Sequence, residues 1–125
     1  MVLQYSTQYT NKPAPFIFSV KATTPQNDSS IMLNCWLDSG ATITCLPLSV
    51  ITNLNLLPCD EIEVTGYGDQ TAKRTRTYLL KLNILDVDYD VTVITSPRTY
   101  GLIGLDILNK WKLILDGRNL QFDIQ

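Results

Sequence analysis

Ile31-Met32-Leu33-Asn34-Cys35-Trp36-Leu37-Asp38-Ser39-Gly40-Ala41 is the stretch on which the fold turns. A mainly apolar run ends abruptly on a carboxylate, a hydroxyl and a glycine. Burying a lone carboxylate costs several kcal/mol or shifts its pKa strongly, so a buried strand ends on an acid only where something needs the charge. Gly40 frees the backbone to turn sharply directly after it. The stretch reads as a strand delivering Asp38 to a tight loop in a partly shielded place. Asp-Ser-Gly is also a common turn tripeptide, and the rest of the chain has to decide between the two readings.

Composition narrows the field. With 125 residues the chain is long enough for one real core but not for two. Its apolar fraction of 45% is that of a globular protein. No stretch approaches the roughly 20 apolar residues of a membrane span, and Met1–Thr10 lacks the charged and apolar regions of an export signal. The net charge of −2, with no basic cluster, argues against nucleic acid or an anionic membrane as partner. Cys35, Cys45 and Cys59 are odd in number and lack metal-type spacing, so they read as buried thiols in a reducing compartment, and a cytoplasmic location is expected. The initial Met1 and the closing strand suggest a stand-alone protein.

The chain contains no histidine. That removes Ser-His-Asp and Cys-His catalysis and histidine-ligated zinc together. A phosphate loop and a dinucleotide fingerprint are also absent, and neither a metal nor a cofactor is expected. Asp86-Val87-Asp88-Tyr89-Asp90 starts like a calcium loop, but Val91 stands where glycine is required and Pro97 where glutamate is required. Acid–base chemistry near neutral pH would have to rest on carboxylates.

Outward from Asp38, short strand signals dominate. Residues 1–15 show no clear period and read as an extended arm, with the domain proper at 16–125. Phe16–Ala22 and Ile31–Leu37 form a hairpin around a loop with Pro25, Asn27 and Asp28. Ile43–Leu46 is extended, and Pro47 can open a short helix over Leu48–Leu54. Glu61–Val64 alternates charge with apolar, and Lys73–Leu85 runs from a solvated strand inward. Between them, Gly66-Tyr67-Gly68 would make a mobile hairpin tip. Asp86–Asp90 reads as a turn before the strand Val91–Ile94. Gly101–Gly104, with apolar residues between its glycines, leads into a short helix. Trp111–Leu115 and Leu120–Ile124 close the chain as a hairpin about Asp116–Asn119. This is an all-β domain, barrel-like, with one or two short helices.

Three boxes in order carry a resemblance: the apolar strand into Asp38-Ser39-Gly40-Ala41, the glycine-bracketed hairpin, and Leu102-Ile103-Gly104-Leu105-Asp106 before a short helix. Over about residues 16–124 the chain resembles the retropepsins, the single-lobe aspartic proteases of retroviruses and retrotransposons with cellular and bacterial relatives. The resemblance implies a closed acid-protease barrel active as a C2 homodimer, because one chain supplies a single Asp-Ser-Gly box. It implies that Asp38 is catalytic, with Ser39, Gly40 and Ala41 supporting its loop. Gly66, Tyr67 and Gly68 would be a flap, Ile103 and Gly104 the second glycine box, and Cys45, Tyr100 and Leu102 substrate-binding walls. The implied activity is hydrolysis of extended polypeptides.

The chain departs from the family in two places. Retroviral enzymes usually carry an acid just after the alanine, paired with an arginine after the late glycine; here these positions are Thr42 and Leu105. Asp106 could replace that brace through a backbone contact or could cap the following helix. The terminal hairpin also replaces a single last strand, so the dimer interface is expected to differ. The alternative readings are a non-catalytic retropepsin-like dimerisation or peptide-binding module and, further off, an unrelated β-barrel binding protein.

Overall fold

The computed structural model describes residues 1–66 and 71–125. Strands take 51% of the chain and helices 8%. In order these are β1 (Val2–Gln4), β2 (Phe16–Thr23), β3 (Ser30–Leu37), β4 (Cys45–Pro47), α1 (Leu48–Asn53), β5 (Asp60–Val64), β6 (Lys73–Ile84), β7 (Val87–Ser96), β8 (Gly101–Ile103), α2 (Leu105–Leu108), β9 (Leu113–Asp116) and β10 (Gln121–Ile124). The larger sheet runs β2-β3-β8-β4-β7-β6-β5, and a further pairing of β2 with β6 closes six of its strands into a barrel. This is the all-β single-lobe architecture expected from the sequence. Strand β5 hangs outside the ring on the outer half of β6, from Asp60↔Thr77 to Val64↔Lys73.

Alternation explains the ring. Leu80, Leu82 and Ile84 of β6 and Val91 and Val93 of β7 point into the core, with less buried residues between them. In β2 the alternation breaks at a bulge between Ile17 and Val20. Ser19 takes a φ of 63° there, and its N–H donates to Asn34 Oδ1 at 3.1 Å. The bulge keeps Ile17 and Val20 both buried while Phe18 is turned out.

The β6–β7 turn is shorter than its acids suggest. Leu85 and Asp86 both have positive φ, 51° and 67°, which is the geometry of a two-residue hairpin turn. Strand β7 therefore begins at Val87, and Ile84↔Val87 through Lys81↔Asp90 are ladder pairs. The expected turn over Asp86–Asp90 is corrected accordingly. Asp88 and Asp90 lie on the exposed face of a strand, where charge is tolerated, and Asp88 Oδ1 accepts from Asn83 Nδ2 at 2.8 Å.

Residues 1–15, read from the sequence as an arm apart from the domain, are extended but lie against the body. Strand β1 pairs with β10, which pairs with β9, giving a second sheet of three strands. The Tyr5 N–H donates to the Leu120 carbonyl at 2.8 Å, and Ser6 bridges to Ala14. Pro15 O accepts the Leu37 N–H at 2.9 Å, one residue before Asp38. Phe122 of β10 is wholly buried and joins this small sheet to the barrel core.

Among the described residues no helix is long and apolar enough to cross a membrane, and no group of three or more His, Cys, Asp or Glu side chains could hold a metal.

Truncating Phe122 to alanine should cost about 3–5 kcal/mol of stability in equilibrium urea unfolding. Leu57→Ala, at a side chain that is 83% exposed, should change it by no more than about 0.5 kcal/mol.

Candidate active site

Strand β3 is fully engaged up to its last residue and then releases the acid. Leu37 is buried, Asp38 is half-buried, and Ser39 and Gly40 are exposed. The Asp38 N–H donates to the Ile103 carbonyl of β8 at 2.9 Å, extending the parallel β3–β8 ladder to the acid itself. The turn closes on Asp38 twice: Ala41 N–H donates to its carbonyl at 3.1 Å, and Gly40 N–H donates to Oδ1 at 2.9 Å. A carboxylate held by a backbone N–H and by its own turn keeps a defined orientation at the surface.

The second glycine box supports this turn from beneath. The Leu105 N–H donates to the Ala41 carbonyl at 2.8 Å. A side chain at Gly104 would place its Cβ 2.7 Å from the Ala41 oxygen and 2.8 Å from the Ile43 carbonyl carbon, both backbone atoms that cannot swing aside. Gly104 has an ordinary extended backbone (φ −93°, ψ −174°), so glycine is required here for space and not for conformation. Gly101 is similarly confined: a Cβ there would meet Cys35 Sγ at 2.7 Å.

Asp106 and Thr44 complete the support. Asp106 Oδ2 accepts the Thr44 N–H at 3.1 Å, and its Oδ1 accepts the Thr44 hydroxyl at 2.7 Å and the Ile107 N–H at 3.0 Å. The Thr44 oxygen in turn accepts the Gly104 N–H at 3.2 Å. Thr44 is completely buried, and these bonds satisfy its polar groups. Helix α2 has no side-chain cap at its start, so Asp106 acts as a strut between α2 and the 41–44 loop. Sequence reasoning raised Asp106 but missed Thr44. The signal available was a hydroxyl between Ile43 and Cys45 in a segment that has to be buried.

The remaining candidates divide. Cys45 of β4 pairs with Leu102 of β8 and Ile94 of β7, which makes Cys45 and Leu102 cross-strand neighbours. Burial pushes the Cys45 thiol above its ordinary pKa, the negative charges of Asp106 and Asp38 push it further, and Arg98 opposes them. Tyr100 lies in an aromatic cluster with Tyr9, Phe16 and Trp36, at centroid distances of 5.2, 5.3 and 6.1 Å. Gly66 lies just beyond β5, while Tyr67 and Gly68 fall outside the described residues. A cleft of about 530 Å³ lined by Thr24, Leu54, Leu57, Cys59 and Leu79 sits on elements other than the Asp38 loop.

No protein-family profile matches the chain, and no curated protein matches it in sequence. Solved structures do match in shape. The simian foamy virus (mac) protease superposes with a TM-score of 0.53 and 22% identity over 73% of this chain and 91% of that one. The protease of EIAV, in complex with the inhibitor HBY-793, gives a TM-score of 0.55 and 18% identity over 82% of this chain and 92% of that one. The foamy viral protease-reverse transcriptase bound to an RNA/DNA hybrid gives 0.56 and 24% identity over 77% of this chain, which spans only 12% of that much longer chain. The chain thus has the retropepsin-like fold, and it places Asp38, Gly104 and their loops on adjoining strand ends.

Gly104→Ala should destabilise the protein by at least about 2 kcal/mol in urea unfolding, because backbone must move to admit one methyl group. Asp106→Ala should cost about 1–3 kcal/mol by stranding the buried Thr44 groups. The thiols should alkylate in the order Cys59, Cys45, Cys35 when followed by mass spectrometry at pH 8. The expectation of three buried thiols holds for Cys35 alone: Cys59 is exposed beside the start of β5, Cys45 is half-buried with a raised pKa, and burial lifts Cys35 to about 12.

Proposed function

We propose that this chain is an aspartic endopeptidase whose active site is completed by a second copy of itself. The observation that carries the reading is a half-buried Asp38 at the tip of a buried strand, in a retropepsin-like fold whose chain contains a single Asp-Ser-Gly box. Retroviral proteases among the solved structures of similar shape support it.

Two like-charged Asp38 carboxylates brought together across a two-fold axis repel, so the working pair holds one proton between them. The ionised member takes a proton from a water held between them. That water oxygen attacks the peptide carbonyl, and the protonated member donates to the carbonyl oxygen, giving a tetrahedral diol. Proton transfer to the nitrogen and collapse of the diol break the C–N bond.

The surroundings take the following roles in this reading. Ser39, exposed at the tip of the turn, is free to meet the partner's loop. Ala41 is anchored from below, so the turn can hold its shape as substrate binds. The β5–β6 hairpin would close over an extended polypeptide and add strand-type hydrogen bonds; Gly66, Tyr67 and Gly68 are the flap residues that the sequence suggests, the last two lying outside the described residues. Cys45, Leu102 and Tyr100 would line the approach, favouring apolar side chains beside the scissile bond. The catalytic unit is residues 16–125, with residues 1–15 strapped to it. Three free thiols suit a reducing compartment, the cytoplasm.

Incubation with a mixed peptide library from about pH 3.5 to about pH 7.5, read by mass spectrometry, tests the proposal. Wild type should cut between apolar residues, and Asp38→Asn should lower the rate by at least about 10⁴-fold. Equal cutting by both proteins would remove Asp38 from catalysis. Silence from both, with a dimer in sedimentation, would favour a non-catalytic peptide-binding module.

A further inference from the structure

Strand β3 leads from Asp38 to a second place where a polypeptide can be held. Leu33, Cys35 and Leu37 are buried, so Met32, Asn34 and Trp36 share with Asp38 the face turned from the core. Aromatic rings come first along this face: Trp36 lies 6.1 Å from Tyr100, and Tyr100 lies 5.2 Å from Tyr9. Tyr9 also borders a cleft of about 320 Å³, which Met32, Asn34, Ser49, Asn53 and Thr99 help to line. At about 3.3 Å per residue, Asn34 stands roughly 13 Å along the strand from Asp38. We infer that this cleft is a distal subsite, taking an amide side chain (Asn or Gln) of the same extended polypeptide about four residues from the bond at Asp38.

The lining sets the class of ligand. None of the residues around the cleft is Asp, Glu, Lys or Arg. A charged side chain entering it would give up water and meet no opposite charge. An amide needs both a donor and an acceptor, and the cleft offers both. Asn34 is held at each end of its own amide: Oδ1 accepts the Ser19 N–H at 3.1 Å, and Nδ2 donates to the Tyr9 hydroxyl at 2.8 Å. Among the described residues nothing takes the second Nδ2 hydrogen or the Tyr9 hydroxyl proton. Ser49 and Asn53 are four residues apart on α1 and so lie on one helix face. Their side chains, like that of Thr99, form no hydrogen bond among the described residues.

The N-terminal segment has a part in this. The bridge between Ser6 and Ala14 closes residues 7–13 into a loop, and that loop carries Tyr9 to the rim. Tyr9 thereby belongs both to the rings beside Asp38 and to the cleft, and joins the two along one path.

The inference rests on the polypeptide reading of Asp38, but its test reads retention and not cleavage. Asp38→Asn protein would be immobilised and exposed to the mixed peptide library near neutral pH, and the retained peptides sequenced by mass spectrometry. They should carry Asn or Gln about four residues from an apolar pair, on the order of fivefold above Asp, Glu, Lys or Arg at that position. Adding Asn53→Asp puts a carboxylate on the cleft wall and should turn the preference to Lys or Arg at the same spacing. A gained preference of that kind does not arise from misfolding. No retained peptide, amides at no fixed spacing, or a preference that Asn53→Asp leaves unchanged would each overturn the inference. Any of these beside wild-type cleavage that Asp38→Asn abolishes would leave the endopeptidase reading intact. Retention of amide peptides by a protein whose wild type never cuts would sustain the subsite and sink the endopeptidase.

Discussion

The closeness of two backbones at Gly104 is the constraint from which the rest of the candidate site follows. With no side chain there, the carbonyls of Ala41 and Ile43 lie where a methyl group would otherwise stand. The amides of Gly104 and Leu105 can then reach the Thr44 oxygen and the Ala41 carbonyl. These contacts fix the far side of the turn whose near side carries Asp38. The acid's orientation is thus determined by steric fit beneath it as much as by the two bonds from its own turn.

Positions 42 and 105 carry no charge, and α2 is tied to the 41–44 loop by hydrogen bonds rather than by an ion pair. Asp106 accepts from both the backbone and the hydroxyl of Thr44, so a buried network of neutral donors around one carboxylate holds α2 to the loop. Such a contact needs no opposite charge, and the desolvation of a cation is avoided. It also explains why Thr42 can be exposed without loss of support.

What the sequence could tell depended on whether the responsible forces were local. Asp38 and the glycine box were legible because each is a break in an apolar pattern. The barrel was legible because β2, β3 and β6 alternate or run apolar. Strand β7 was read too short because Val87–Asp90 has the composition of a turn; only pairing with Lys81–Ile84 makes it a strand. Strand β1 has no period of its own and exists through β10, more than a hundred residues away. Thr44 was missed for a related reason, since its partners Asp106 and Gly104 come from the far end of the chain.

The pairing of β1 with β10 sets both chain ends side by side. The Met1 ammonium lies 2.9 Å from Asp123 Oδ1, and the Ile124 N–H donates to the Met1 carbonyl at 3.0 Å. A pull on the two ends therefore acts across the antiparallel pair and not along it. The bonds between β1 and β10 come under load one after another from the Met1 end, as a zipper opens, and none shares the strain with its neighbours. Under tension the molecule would yield first at this seam, with Leu3 peeling away from Phe122 while the barrel is still closed.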